Sequence, residues 1–180
     1  LWFSDADYAR KGNLIKWNPA VKTAADRDAL RAGLLDGAVD VVATDHAPHT
    51  LEEKERPYAS APSGGPLVQH SLPMMLELSA QGVLPVETVV EKMCHAPARL
   101  FGVRDRGFLR TGHFADIVLV RPADPWTVSK ENILYKCGWS PLEGTAFSHR
   151  IMRTLVNGRT VYADGRVDTA HRGAELEFDR

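Results

Sequence analysis

Cysteine is scarce in this chain of 180 residues: there are two, Cys94 and Cys137, far apart and in no Cys-x-x-Cys pair. Neither a disulfide framework nor a cysteine zinc site finds support, and a reduced, cytoplasmic protein is the default expectation. Long apolar runs are missing too. No stretch approaches the roughly 20 residues of a membrane span, and the opening "LWFSDADYARKG" lacks the basic-then-apolar order of a signal peptide. An excess of one charge is also absent. With 22 basic and 23 acidic residues, a net charge of -1 and no basic cluster, the chain offers no electrostatic footprint to nucleic acid or an anionic membrane. Low-complexity linkers and internal repeats do not occur. There is no initiator Met before Leu1-Trp2-Phe3, which reads as the middle of a longer chain.

What is present has the profile of a soluble globular protein, 44% hydrophobic and 25% charged, and is long enough for a real core. "GNLIKWNPAV" offers a short strand around Leu14 to Trp17 that stops at Asn18-Pro19, because proline cannot donate to a ladder. "TAADRDALRAGLLDG" then reads as a helix. Thr23 is its N-cap, Asp26 follows three residues on, Ala29, Leu30 and Leu34 form an apolar stripe, and Gly37 is the stop. Val39 to Thr44 is a second apolar run, so the order strand-helix-strand predicts parallel pairing with the helix outside. Two further helices are expected, in "LVQHSLPMMLELSAQG" with Pro73 in the first turn, and in "PVETVVEKMCHAPARLFG" with Pro97 interrupting or restarting it. From Gly107 the texture changes to short strands, and Asn157-Gly158 between two β-rich runs signals a type I′ hairpin. Two regions are therefore expected, an α/β part over 1–104 and a β-rich part over 105–180.

The chemistry gathers at the strand ends. In parallel α/β architectures, binding and catalytic groups collect where strands finish and loops begin. Asn18 follows the first strand, and Asp45, His46 and His49 in "VVATDHAPHT" follow the second. A carboxylate there can ligate a metal ion, or take a proton from an activated water and pass it to a leaving nitrogen. The plain alternative for Asp45 is a turn cap. Of the neighbouring histidines, only one is expected to face the mouth of a site; His49 also reads as a solvated loop residue, and Asn18 as an ordinary turn residue. "APSGGP" has adjacent glycines that allow close backbone approach. "EEKER", Glu52 to Arg56, reads as a solvated charged face. His70 and His95 read as core or surface residues, and Cys94 and His95, about 100 degrees apart on a helix, as no dyad.

"TDHAPHTLEEKE", preceded by "KWNPAVKTAADRDAL" and followed by "APSGGPLVQHSLPMMLE", resembles the C-terminal part of the bacterial dihydroorotases, within the amidohydrolase superfamily. The resemblance extends to "ADIVLV" and "SPLEG". It implies the last strands and helices of a (β/α)8 metal-dependent hydrolase barrel over 1–104, then a small sandwich-like β region. It also implies one or two zinc ions and the interconversion of L-dihydroorotate and N-carbamoyl-L-aspartate in pyrimidine biosynthesis. Asp45 matches the aspartate that ligates zinc and carries the proton. Asn18 matches a substrate contact, and His49 the histidine that binds the substrate's carboxylate. Pro62, Ser63 and Gly64 match the stretch whose backbone holds the ring; Ser63 stands where many relatives carry an aromatic residue.

The family's His-x-His pair occurs nowhere in the chain, nor does a match to its bridging lysine or its later metal histidines. With one zinc ligand of the usual three, these residues alone are expected to be catalytically silent. The implied partner is a small-molecule substrate, with self-association or assembly with a carbamoyltransferase. The alternatives are a non-catalytic dihydroorotase-like assembly subunit, or another cyclic amidohydrolase such as a hydantoinase or allantoinase. An independent binding module fits poorly, because open barrel strands leave exposed edges.

Overall fold

Thr23 opens the longest helix as its side chain prescribes. In a computed structural model, which describes residues 1–179, a first short helix α1 (Tyr8–Lys11) is followed by α2 (Ala24–Asp36). The Thr23 hydroxyl accepts from the Asp26 amide, and the Asp26 carboxylate accepts from the Thr23 amide at 3.0 Å. Such a cap contributes about 1 kcal/mol. Gly37, at φ 89, ends the helix in the left-handed conformation that a side chain resists. The expected stripe is only partly covered: Leu34 is buried, while Leu30 and Ala29 are exposed.

The apolar runs on either side of α2 do not pair as parallel strands. Gly12–Ile15 is a 3-10 turn, and residues 39–45 belong to no ladder. The Val39 amide donates to the Gly33 carbonyl and the Val42 amide to the Lys92 carbonyl, so this run is tied to helices instead. The parallel bridge outside the sheets joins His46 to Gly65. The reason is physical. Gly12, at φ 49, bends the first run before it can extend, and two strands without further neighbours are a marginal unit in water.

Four more helices follow: α3 (Leu51–Lys54), α4 (Ser71–Ala80), α5 (Val86–Val90) and α6 (Ala96–Phe101). Pro73 lies in the first turn of α4, where a missing amide costs nothing. Between α5 and α6 the chain makes a wide π turn over Glu91–His95. Pro97 has no N–H to offer the Met93 carbonyl, and the widened turn lets the helix continue past it. Leu34, Met75, Leu76, Leu78, Leu84 and Val89 form one core, packed by Val39 and Val42.

The β-rich part begins at β1 (Ile117–Arg121), followed by β2 (Trp126–Thr127), β3 (Ala146–Phe147), β4 (Arg150–Val156), β5 (Arg159–Ala163) and β6 (Arg166–Val167). An antiparallel sheet has the order β1-β4-β5-β6, and β2 pairs with β3. Asn157 (φ 51) and Gly158 (φ 76) form the expected hairpin turn, bracketed by the Val156–Arg159 pair. The short strands expected from Gly107 on appear over 117–121 and 150–167 with two two-residue pieces between, and residues 107–116 carry none. Residues 122–149 are largely irregular, because Pro122, Pro125 and Pro141 withhold ladder donors. A second core joins the two parts: Phe3 and Ile15 pack with Val128, Leu142 and Phe147. No described helix is long and apolar enough to cross a membrane, and Cys94 and Cys137 are both free.

Candidate active site

Asp45 ends the second apolar run in the left-handed region, at φ 46, with its side chain exposed. Aspartate tolerates that conformation better than most residues, and the turn lifts it off the packed Val41-Val42 segment. Asn18 is exposed at the end of the first run. Asp45 and Asn18 line one cleft of about 390 Å³ with Trp17, Leu67, Ser71 and Met74. The structure thus brings together the two groups that the sequence placed at separate strand ends.

His49 lies outside that lining. Its Nε2 is 3.1 Å from the Ser63 carbonyl, so this nitrogen carries the proton and donates, and Nδ1 is 3.5 Å from the Glu53 carboxylate. The Thr50 amide holds the Glu53 carboxyl below its ordinary range. The His49 carbonyl accepts from the Trp139 indole at 2.8 Å. His46 faces elsewhere: its Nδ1 accepts from the amides of Leu67 (3.0 Å) and Val68 (3.3 Å), which leaves the proton on Nε2. It organises the turn before α4.

The Pro62-Ser63-Gly64 loop is held on every side. The Gly64 amide donates to the Lys16 carbonyl at 2.9 Å, and the Ala47 amide donates to the Gly65 carbonyl at 3.2 Å. Gly64 sits at φ 129, and a Cβ there would run into the Ala47 carbonyl. At Gly65 a Cβ would stand 2.8 Å from the Trp17 indole nitrogen, itself buried without a partner among the described residues. These glycines permit a close approach that no side chain would allow.

Lys54 overturns the solvated reading of "EEKER". Its side chain is 1% exposed. The ammonium donates to the carbonyls of Lys16 (3.2 Å), Pro62 (2.9 Å) and Gly64 (2.8 Å), one for each of its N–H groups. Burial, with the Lys16 charge nearby, pulls its pKa down to about 8. Lys16 grips the same loop from outside, donating to the carbonyls of Tyr58 and Ala61. Sequence gave no sign of this, since Lys54 sits among charged neighbours that are exposed.

Of the core and surface readings left open for His70, the structure has the first. The imidazole is fully buried, with Nδ1 3.0 Å from the Tyr135 hydroxyl, and burial lowers its pKa to about 4. Among the described residues no three His, Cys, Asp or Glu side chains come together as a metal-binding group. An exposed carboxylate suits one position of a catalytic zinc centre, which usually takes three protein ligands. The residues of this chain do not complete such a centre by themselves.

Residues 9–161 match the model of the amidohydrolase family. The chain is 42% identical over 147 residues to a dihydroorotase of Pelobacter propionicus, covering 82% of this chain and 34% of that protein. It is 39% identical over 176 residues to a dihydroorotase of Halobacterium salinarum, covering 98% and 41%. Among solved structures it is similar to the L-hydantoinase (dihydropyrimidinase) from Arthrobacter aurescens, with 31% identity and a TM-score of 0.86 over 93% of this chain and 38% of that one. A dihydropyrimidinase from Brevibacillus agri, at 23% identity and a TM-score of 0.84, shares the fold. The chain spans 34% to 41% of the length of these relatives. Its fold is the C-terminal portion of a (β/α)8 hydrolase barrel followed by antiparallel sheets. With that family model matched along most of its length, the chain belongs to the amidohydrolase family.

Proposed function

We propose that this chain forms the C-terminal part of a zinc-dependent dihydroorotase, which cyclises N-carbamoyl-L-aspartate to L-dihydroorotate reversibly in pyrimidine biosynthesis. The observation that carries the reading is the cleft shared by Asp45 and Asn18. Curated dihydroorotases at 39% to 42% identity favour this ring over the hydantoins, whose enzyme is 31% identical. Residues 1–104 would close the barrel and 105–180 would brace it.

In the ring-opening direction, water adds to an amide carbonyl and the carbon–nitrogen bond breaks. A bound zinc ion supplies a polarised, more acidic water. Asp45 would be the one ligand this chain lends to that ion, the others coming from the length of the relatives it does not span. The Asp45 carboxylate takes the proton of the attacking water and returns it to the departing ring nitrogen. Asn18 holds the substrate from the end of the neighbouring run, across the same cleft.

His49 would pair with the substrate's carboxylate. Its Nε2 proton now goes to the Ser63 carbonyl, so substrate gains it by exchanging that bond. Within Pro62-Ser63-Gly64, proline has no N–H and the Gly64 amide is taken by Lys16. The Ser63 amide is the donor that the loop leaves free for a ring oxygen.

The test is turnover by the full-length enzyme of L-dihydroorotate, hydantoin and dihydrouracil, with and without Asp45→Asn. Loss of the proton carrier lowers kcat by about 10² to 10⁴, while zinc content falls far less. Near-normal kcat in that variant would sink the role of Asp45, and opening of hydantoin in preference to dihydroorotate would sink the substrate.

A further inference from the structure

We propose that Lys54 is a positioning residue for the site: by gripping the Pro62 and Gly64 carbonyls from beneath, it aims the Ser63 N–H between them at the substrate. The inference rests on the functional reading above, in which the 62–64 loop meets the substrate ring.

In a trans peptide the C=O and the following N–H point in opposite directions. The Pro62 carbonyl points at the Lys54 ammonium, 2.9 Å away, so the Ser63 N–H of the same peptide points away from it. Ser63 is exposed, and its amide has no partner among the described residues. The Gly64 carbonyl is held in the same manner at 2.8 Å, which directs the Gly65 N–H away from Lys54. A cation on the oxygen of an amide also polarises it and strengthens its N–H as a donor.

The third bond of the ammonium goes to the Lys16 carbonyl. That carbonyl also accepts from the Gly64 amide, so one buried charge ties the loop to the chain that leads into Trp17 and Asn18. Among the described residues no carboxylate pairs with Lys54 or Lys16. Burying an ammonium without a counter-ion is costly, and the three carbonyls offset that cost only in this arrangement. Stability alone would be served as well by an apolar side chain. The Asn13 side-chain amide donates to the carbonyls of Lys54 (3.0 Å) and Arg56 (2.7 Å), which fixes the backbone from which the lysine reaches.

The experiment compares full-length wild type, Lys54→Met and Lys54→Arg, reading kcat and KM on L-dihydroorotate with the folded fraction measured separately. Methionine fills the space without the charge, and arginine keeps the charge and donors. We expect Lys54→Met to raise KM roughly tenfold to a hundredfold with kcat within about threefold of wild type. Lys54→Arg should recover most of that rise. A merely structural lysine gives a different pattern: a smaller active fraction, hence lower apparent kcat, at unchanged KM. That pattern overturns the proposal. So does failure of both variants to fold, which would make Lys54 scaffold. The wild-type control separates the two levels. If it opens hydantoin or dihydrouracil and not dihydroorotate, the substrate reading fails, and the variants are scored on the ring it does open.

Discussion

At Gly64 and His49 the chemistry of single residues carries direct consequences. Gly64→Ala puts a Cβ into the Ala47 carbonyl at a φ of 129, where L side chains are strained. We expect it to cost about 2 kcal/mol or more and to raise KM by displacing the loop; unaltered urea denaturation and KM in the full-length enzyme would refute the close-approach account. His49→Ala removes both a loop anchor and the proposed carboxylate partner, so KM should rise more than kcat falls. Steady-state kinetics on dihydroorotate decide it. His70 carries a pH signature. Its pKa is about 4 in the fold against an ordinary 6.5, so the unfolded chain takes up a proton first as pH falls. The stability it supports is present above pH 6.5 and lost on the way down to pH 4, at most about 3 kcal/mol. Replacing it by Gln should flatten the fall in stability between those pH values in denaturant titrations. An equally steep fall would assign the acid sensitivity to other groups.

Elements that depend on neighbours in sequence follow their local chemistry. Thr23, Asp26 and Gly37 bound α2 because a cap and a left-handed stop need only a few adjacent residues. Asn157-Gly158 turns the β4–β5 hairpin for the same reason, and Asp164-Gly165 (φ 50 and 80) repeats the device between β5 and β6, a signal present in the letters. Gly158→Ala should cost about 1 kcal/mol, read as a lower denaturation midpoint. No change would mean that the turn relaxes into another type. The parallel strands around α2 fared differently: the apolar runs were visible, but a ladder is a property of two segments and their further neighbours. The first run is a 3-10 turn over Gly12–Ile15, but residues 39–44 are not helical and the two runs are not antiparallel, so the barrel reading stands without the expected pairing.

On the scale of the whole molecule, Asp45 is the one zinc ligand proposed in a chain that spans 34% to 41% of its relatives. The 180 residues alone are expected to release no product from dihydroorotate, even with added zinc. A colorimetric assay for ureido product tests this, and measurable turnover would show that these residues assemble a complete centre.

Sequence by itself determined the caps, the glycine turns, the helix order and the acid and histidines that end the second run, because each is written within about ten residues. It also carried the family, through Asp45, Asn18 and the glycine loop. Only the tertiary structure decided that Lys54 is buried, that His49 and Lys16 hold the loop, and that Phe3 and Ile15 share a core with Val128 and Phe147. Burial and long-range hydrogen bonds depend on which distant segments meet. A lysine between exposed charges reads the same in sequence whether its ammonium ends in water or beneath three carbonyls.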